Sequence, residues 1–580
     1  MRALPTVLAA ALWAAPASAG GRGELVHLTT RPWLTLDPAA AFDPVSLIAT
    51  GNVYEPLVTF GDVKDPSVLI PFLAAAVPTL ENGLLSADRT TYRFPIRKGV
   101  RFHDGAELTP EDARYSLLRF MLADESGGPA ALLLEPLLGV GSTRGPDGKV
   151  TLAFSEAADA VRVDGEAVVV RLKRPDSAFL KLLASLPIVV CRAWAAAHGE
   201  WDGSESSWTR FNNRPPGSSY LAAHMDGTGP FRFLEAASSA RQLVLGRHAG
   251  YWRRPASLER VTLRVVASKA VRLSMMESGA ADISYFDARD YEDARALRGV
   301  KVVEGLPGIA LGEAVFFTFS AAPGAPALGS GRLDGAGIPP DFFAEKAVRE
   351  GFGYAIDYDD YLKRGLSGRG RRSQGPIPSS LVPFRGVPPF RFDLARARAA
   401  LRKARAGAVW EDGFTVTLTL SPSNANRLVL AEVLRDGLAK VNPKFILRVK
   451  TVSSAELYAA AERHELPLFI ASYDADYPDP HSFAYGMLDG DGYYPRVQGY
   501  RNPALDRRIA AAAAMAGEPE RLAAYQEIVR LGALDIPHLT TYEPARFIAA
   551  RADVSGLDGS QNVGNLALDG FPYFYAYSKE

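Results

Sequence analysis

Hydrophobic and polar positions alternate over residues 25–30 (LVHLTT), which predicts a first strand with one buried face. The same reading predicts strands at 92–96 and 100–102, on either side of the turn Arg97-Lys98-Gly99, and at 167–172 and 261–266. After His103-Asp104-Gly105, an Asp-Gly turn, the period changes to that of a helix. Thr109 stands as its N-cap, Pro110 fits the first helical position, and Glu111 and Asp112 favour the positive end of the dipole. Ala113, Leu117, Phe120 and Met121 mark its apolar face. Further helices are predicted at 342–355, 394–405 (capped by Asp393), 427–441 and 519–531. Strands at 415–420 and 445–451 flank the third of these as a β-α-β unit, so that region holds a small open sheet. Residues 466–471 form another apolar strand, while 320–340 and 366–389 are predicted to be long surface loops.

The amino terminus reads differently. Arg2, an apolar run over 3–15 and the exit Ala17-Ser18-Ala19 predict a secretory signal peptide at residues 1–19. The run is too short for a membrane span of about 20 residues. Cleavage leaves Gly20 first, with no cysteine there to carry a lipid, so the mature protein is expected in the periplasm without an anchor. At roughly 150 residues per domain, 580 residues suggest about three or four units. Lys+Arg and Asp+Glu both number 65, which argues against a nucleic-acid partner. An apolar fraction of 47% argues against a disordered chain. A single cysteine, Cys191, excludes a disulfide framework and a cysteine-based zinc site, and the eight histidines form no HExxH. No metal and no cofactor is therefore expected. There is also no phosphate loop, no dinucleotide fingerprint and no Gly-x-Ser-x-Gly elbow, so the chain is not expected to be an enzyme.

Several segments stand in a telling order: Asn52-Val53-Tyr54-Glu55-Pro56-Leu57-Val58; IRKGVRFHDGAELTPED from Ile96 to Asp112; Gly227-Thr228-Gly229-Pro230-Phe231, then Tyr251-Trp252; Ser278-Gly279-Ala280-Ala281-Asp282; Tyr354-Ala355-Ile356-Asp357, then Gly375-Pro376-Ile377-Pro378; and Ala475-Asp476-Tyr477-Pro478-Asp479-Pro480. Together they resemble the extracytoplasmic solute-binding proteins of ABC importers, family 5, the peptide and nickel binders. The resemblance implies an α/β, two-lobed periplasmic-binding-protein fold (type II, cluster C-like) with an additional small subdomain. It places lobe I at 20–52, 175–303 and 540–580, the subdomain at 53–174 and lobe II at 304–539. The chain would cross between the lobes near Glu304 and near residues 537–542. It further implies a monomer that closes on a peptide or other small solute and delivers it to a membrane permease.

Most motif residues read as structural, in turns, caps and packed aromatics. Segment 473–480 reads differently, because strand 466–471 delivers it to a sheet's carboxyl edge, where open α/β folds place ligands. Asp479 has a local task as cap of a helix starting at Pro480, whereas Asp476 has none. In peptide-binding members the matching acid pairs with the peptide's ammonium group beneath an aromatic three residues earlier, here Tyr473. The alternative is that Asp476 pairs with an arginine of its own lobe. Tyr285 and Phe286 stand where relatives line the cleft, with the core as the alternative, and Tyr458, on the helix before strand 466–471, is a candidate to line the same pocket. Ile470 replaces an arginine that some oligopeptide binders use for the peptide carboxylate; Arg369, Arg371 and Arg372 offer positive charge from a loop, or form a solvated surface. Rival readings are another solute (a nickel chelate, an opine, an oligosaccharide), an exported hydrolase, or an exported receptor or chaperone without an importer.

Overall fold

The computed structural model describes residues 21, 23–62, 65–145, 147–236, 241–305, 309–383, 390–422, 424–557 and 572–580. The expected signal peptide lies outside them. The larger sheet has seven strands, in the order Val300–Glu304, Phe547–Arg551, Ile283–Tyr285, Glu24–Thr29, Arg260–Val265, Gln242–Arg247 and Phe231–Ala236. The expected first strand is its centre, parallel to both neighbours. Successive residues His27 and Leu28 are both buried, so both faces are covered rather than the one that alternation implied.

The smaller sheet has five strands, in the order Phe445–Thr451, Phe414–Leu420, Leu468–Asp474, Ala310–Phe317 and His538–Thr540. Its first two strands are parallel and are joined by helix Asn426–Val441, the expected β-α-β unit. The chain passes between the two sheets twice, from Glu304 to Ala310 and from Thr540 to Phe547. A third, antiparallel sheet pairs Thr91–Pro95 and Val161–Asp164 with Ala167–Arg171. Helix Pro110–Ala123 packs against it. Thr109 caps that helix as expected, and Asp112 completes a capping box by accepting from the Thr109 backbone at 2.9 Å.

Two expectations fail. Residues 100–102 are not a strand; they contribute one isolated bridge, from Arg101 to Glu107. Segment 320–340 is not a surface loop throughout, because Ala321, Leu328 and Ile338 are buried against the smaller sheet's core. Few apolar side chains suffice there, since the turns between them let the segment fold back on itself. Of 366–389, Arg371–Arg372 pairs with Tyr542–Glu543, and residues 384–389 lie outside the described residues.

Three of the ordered motifs meet in one knot. The Glu55 carboxylate accepts hydrogen bonds from Tyr251 Oη (2.6 Å), Thr228 Oγ1 (2.7 Å) and Trp252 Nε1 (2.9 Å). Gly229 N donates to Val53 O at 2.9 Å, and a Cβ on Gly227 or Gly229 would stand 2.1 or 2.6 Å from that oxygen. The glycines are therefore required by close backbone approach. Burial pushes the Glu55 carboxyl up from 4.5 to about 7, although its three donors oppose this. The folded protein thus binds more protons than the unfolded chain between these values, and this contribution to stability is lost as pH rises through them. Glu55→Gln is expected to flatten that slope, by on the order of 3 kcal/mol across the window. Urea unfolding of both proteins at several pH values checks it; parallel curves would mean that Glu55 does not titrate with folding.

Candidate functional site

Strand Leu468–Asp474 continues three residues beyond its expected end and brings Ser472, Tyr473 and Asp474 to the carboxyl edge of the smaller sheet. The antiparallel strand Ala310–Phe317 begins at the same edge, with Ala310 opposite Asp474 and Leu311 opposite Tyr473. Its register then shifts between Leu311 and Ala314, so that Gly312 and Glu313 together face one residue, as in a β-bulge. Glu313 is buried and becomes a hub. It accepts from Asn424 Nδ2 (2.6 Å), Tyr542 Oη (2.8 Å) and Tyr361 Oη (3.2 Å), and Arg427 Nε lies 3.9 Å away. Burial, reinforced by Glu313, holds both tyrosine hydroxyls well above their usual range, so they remain donors. A Cβ on Gly312 would stand 2.1 Å from the Tyr542 ring. Strand 310–317 and this hub were missed in the sequence; the available signal was a lone acid inside ALGEAVFF, since a buried carboxylate needs partners.

Asp476 lies two residues past the strand, half-buried. Its backbone N–H donates to Ser482 Oγ at 3.2 Å, and Tyr473 Oη lies 3.0 Å from its Oδ2. Tyr473 Oη is also 3.0 Å from Ser482 O, so its single proton is shared between two acceptors. Burial raises Asp476 to about 6; the Tyr473 hydrogen bond lowers it somewhat and the neighbouring Asp474 charge raises it. Among the described residues no lysine or arginine forms an ion pair with Asp476, and the nearby Arg546 pairs with Asp474 at 2.7 Å. Among the described residues, then, no arginine of the lobe takes the place of that alternative partner.

Tyr285 ends its strand edge-on to His27, with ring centroids 5.6 Å apart and a buried, unpaired hydroxyl. Burial raises it strongly and Arg546 partly offsets this, so one arginine acts on both Tyr285 and Asp474. Phe286 parts company with Tyr285. It packs with Leu28, Met276 and Phe547 in the core, under the Arg272 guanidinium at 5.3 Å. Successive residues leaving a strand face opposite ways, which explains the divergence: Phe286 takes the core alternative. Tyr458, 38% exposed on helix Ser454–Glu462, is the outer member of a row of rings. It stands 6.2 Å from Tyr493, which is 5.3 Å from Tyr494, which is 6.0 Å from Tyr473. Arg369 pairs with Glu304 and covers the Tyr291 ring, Arg371 pairs with Glu543, and Arg372 donates to Thr540 O and Thr541 O. None of the three is simply a solvated surface.

Asp479 does more than the expected capping. It accepts from His481 N at 2.9 Å and is gripped by both Nη atoms of Arg521, while Lys181 Nζ stands 3.0 Å from its Oδ2.

Two α/β sheets joined by two crossings, with polar groups gathered at a carboxyl edge beside those crossings, define the type II periplasmic-binding-protein fold. The chain belongs to the bacterial extracellular solute-binding proteins, family 5, whose sequence profile matches residues 69–495. These are solute-binding proteins of ABC importers, and the chain is a binding protein rather than an enzyme. It is 23% identical over 523 residues to heme-binding protein A of Haemophilus influenzae, covering 88% of this chain and 85% of that protein. It is 24% identical over 531 residues to the glutathione-binding protein GsiB of Pectobacterium atrosepticum, covering 90% and 87%. The periplasmic binding protein DppA of Helicobacter pylori, solved with the peptide STSA, shares the fold at a TM-score of 0.74 and 19% identity, covering 96% of this chain and 98% of that one. Among the described residues no helix is long and apolar enough to cross a membrane.

Proposed function

We propose that the protein captures peptides with a free amino terminus in the periplasm and delivers them, as a monomer, to an inner-membrane permease. The observation that carries this reading is Asp476: a half-buried carboxylate at the sheet's carboxyl edge, hydrogen-bonded to Tyr473, with no basic partner among the described residues. Such a group gains most from an incoming cation, because the charge is already partly desolvated. The row Tyr473, Tyr494, Tyr493, Tyr458 runs outward beside it, with Tyr494 buried and Tyr458 exposed at its outer end. Main-chain hydrogen bonding of the peptide would tolerate varied side chains. In this reading lobe I comprises 20–52, 175–303 and 540–580, the added subdomain 53–174 and lobe II 304–539, and the two crossings act as the hinge.

Native mass spectrometry of protein freshly isolated from a periplasmic fraction tests the ligand. Peptide masses released on denaturation are expected; heme, a metal chelate or a sugar would overturn the peptide reading. The same spectrum should give a mature chain beginning at Gly20 with no acyl group, and a mass that includes residues 1–19 or a lipid would refute the export route. Small-angle scattering should show a smaller radius of gyration with saturating peptide. An unchanged radius, with binding shown by calorimetry, would mean that the crossings do not act as a hinge.

A further inference from the structure

Away from the smaller sheet, three segments bring unlike donor groups together. Asp104 lies in the turn after Phe102, Cys191 precedes helix Arg192–Ala197, and Asp226 precedes the glycines that touch Val53. One carboxylate oxygen of Asp104, one of Asp226 and Cys191 Sγ all lie within 4.8 Å of one another. Each donor group is held by a backbone N–H: Asp104 Oδ1 accepts from Ala106 at 2.8 Å, Asp226 Oδ1 from Asp104 at 2.9 Å, and Cys191 Sγ from Trp194 at 3.5 Å. Asp226 is only 4% exposed, and its Oδ2 is buried with no hydrogen-bond partner. Among the described residues no lysine or arginine forms an ion pair with Asp104 or Asp226. A buried, unpartnered carboxylate oxygen beside a second carboxylate and a thiol lacks a counter-ion.

We propose that Asp104, Cys191 and Asp226 bind one thiophilic divalent transition ion, of the zinc type, with solvent completing the coordination. A thiolate with two carboxylates and an open position suits zinc, whereas magnesium and calcium take oxygen ligands alone. Asp104 is exposed and gives the ion its entry. Binding exchanges a proton for the metal: the Cys191 S–H bond breaks, the sulfur–metal bond forms, and the proton leaves to solvent. A single cysteine excludes a zinc site built from cysteines, and a donor set of one thiolate with two carboxylates stands outside that exclusion. The bound ion would fasten the motif turn, the helix start and the close-packed glycine segment to one another.

The test uses the full mature chain with cobalt(II) and zinc(II) as probes. One equivalent of cobalt should give a thiolate-to-cobalt charge-transfer band in the near ultraviolet, and zinc should abolish the band and raise the Tm. Cys191→Ser should lose the band. Asp104→Asn, whose side-chain oxygen can still accept from Ala106 N–H, should weaken cobalt binding at least tenfold without lowering the metal-free Tm. If Cys191→Ser does not fold, Asp104→Asn decides. Absence of the band in folded wild type, its persistence in Cys191→Ser, or equal zinc uptake by wild type and Asp104→Asn would overturn the proposal.

Discussion

Asp476→Asn is expected to weaken binding of a free-amine peptide by about 2–5 kcal/mol, about 30- to 5,000-fold, with little change in fold. Asn preserves shape and the Tyr473 contact while removing the charge that the peptide ammonium would meet. An N-acetylated peptide should bind wild type poorly and lose little more in the variant. Calorimetry on the four combinations gives the coupling energy directly. The pH dependence is a second signature. Burial holds Asp476 up at about 6, so the free protein loses this carboxylate as pH falls through that value. Affinity for a free-amine peptide should therefore drop below about pH 6 in wild type and stay flat there in Asp476→Asn. If acetylation and Asp476→Asn act additively, Asp476 is a structural residue and the peptide reading loses its support.

What could be read from the sequence followed local periodicity. The unit Phe414–Leu420, Asn426–Val441, Phe445–Thr451 was legible because its strands and helix have distinct periods and clear ends. The start of helix Pro110–Ala123 was legible because its cap chemistry is local. Ala310–Phe317 was not, because all eight residues are buried and a strand covered on both faces has no alternation. Its Glu313 takes partners from residues as far as 229 positions away, which no local pattern encodes. At the candidate site, motif order singled out Asp476, but only the fold shows Arg546 committed to Asp474 instead. Tyr285 and Phe286 were indistinguishable in sequence, and the strand's pleat separates them.

Asp479→Asn is expected to cost about 3–5 kcal/mol of stability, more than its role as a helix cap explains. Asp479 is fully buried, Arg521 is 2% exposed, and Lys181 reaches the same carboxylate from helix Phe179–Ala184. Burial alone would raise this acid, but Lys181 and Arg521 prevail and hold it down at about 2. Asn can still cap the helix, so the loss isolates the charge: two cations remain without the carboxylate that pairs with both. Lys181→Met should cost much less, because the two-pronged Arg521 grip survives and Lys181 keeps partial contact with solvent. Replacing Asp479→Leu and Arg521→Met together should recover part of the loss, since Arg521 is then not stranded, although Lys181 loses its partner and the cap is gone. The acid side gives the sign of the pH effect. A carboxylate depressed from 3.8 to about 2 contributes stability above the unfolded value and loses it as pH falls toward the folded one. Wild type should therefore lose stability more steeply than Asp479→Asn in that range, while Asp176 and His481, which face the same cluster and feel the Asp479 charge, titrate differently in the two proteins. Urea unfolding of wild type and the three variants at neutral and acid pH measures these costs. A cost below about 1 kcal/mol for Asp479→Asn would place its worth in the cap alone.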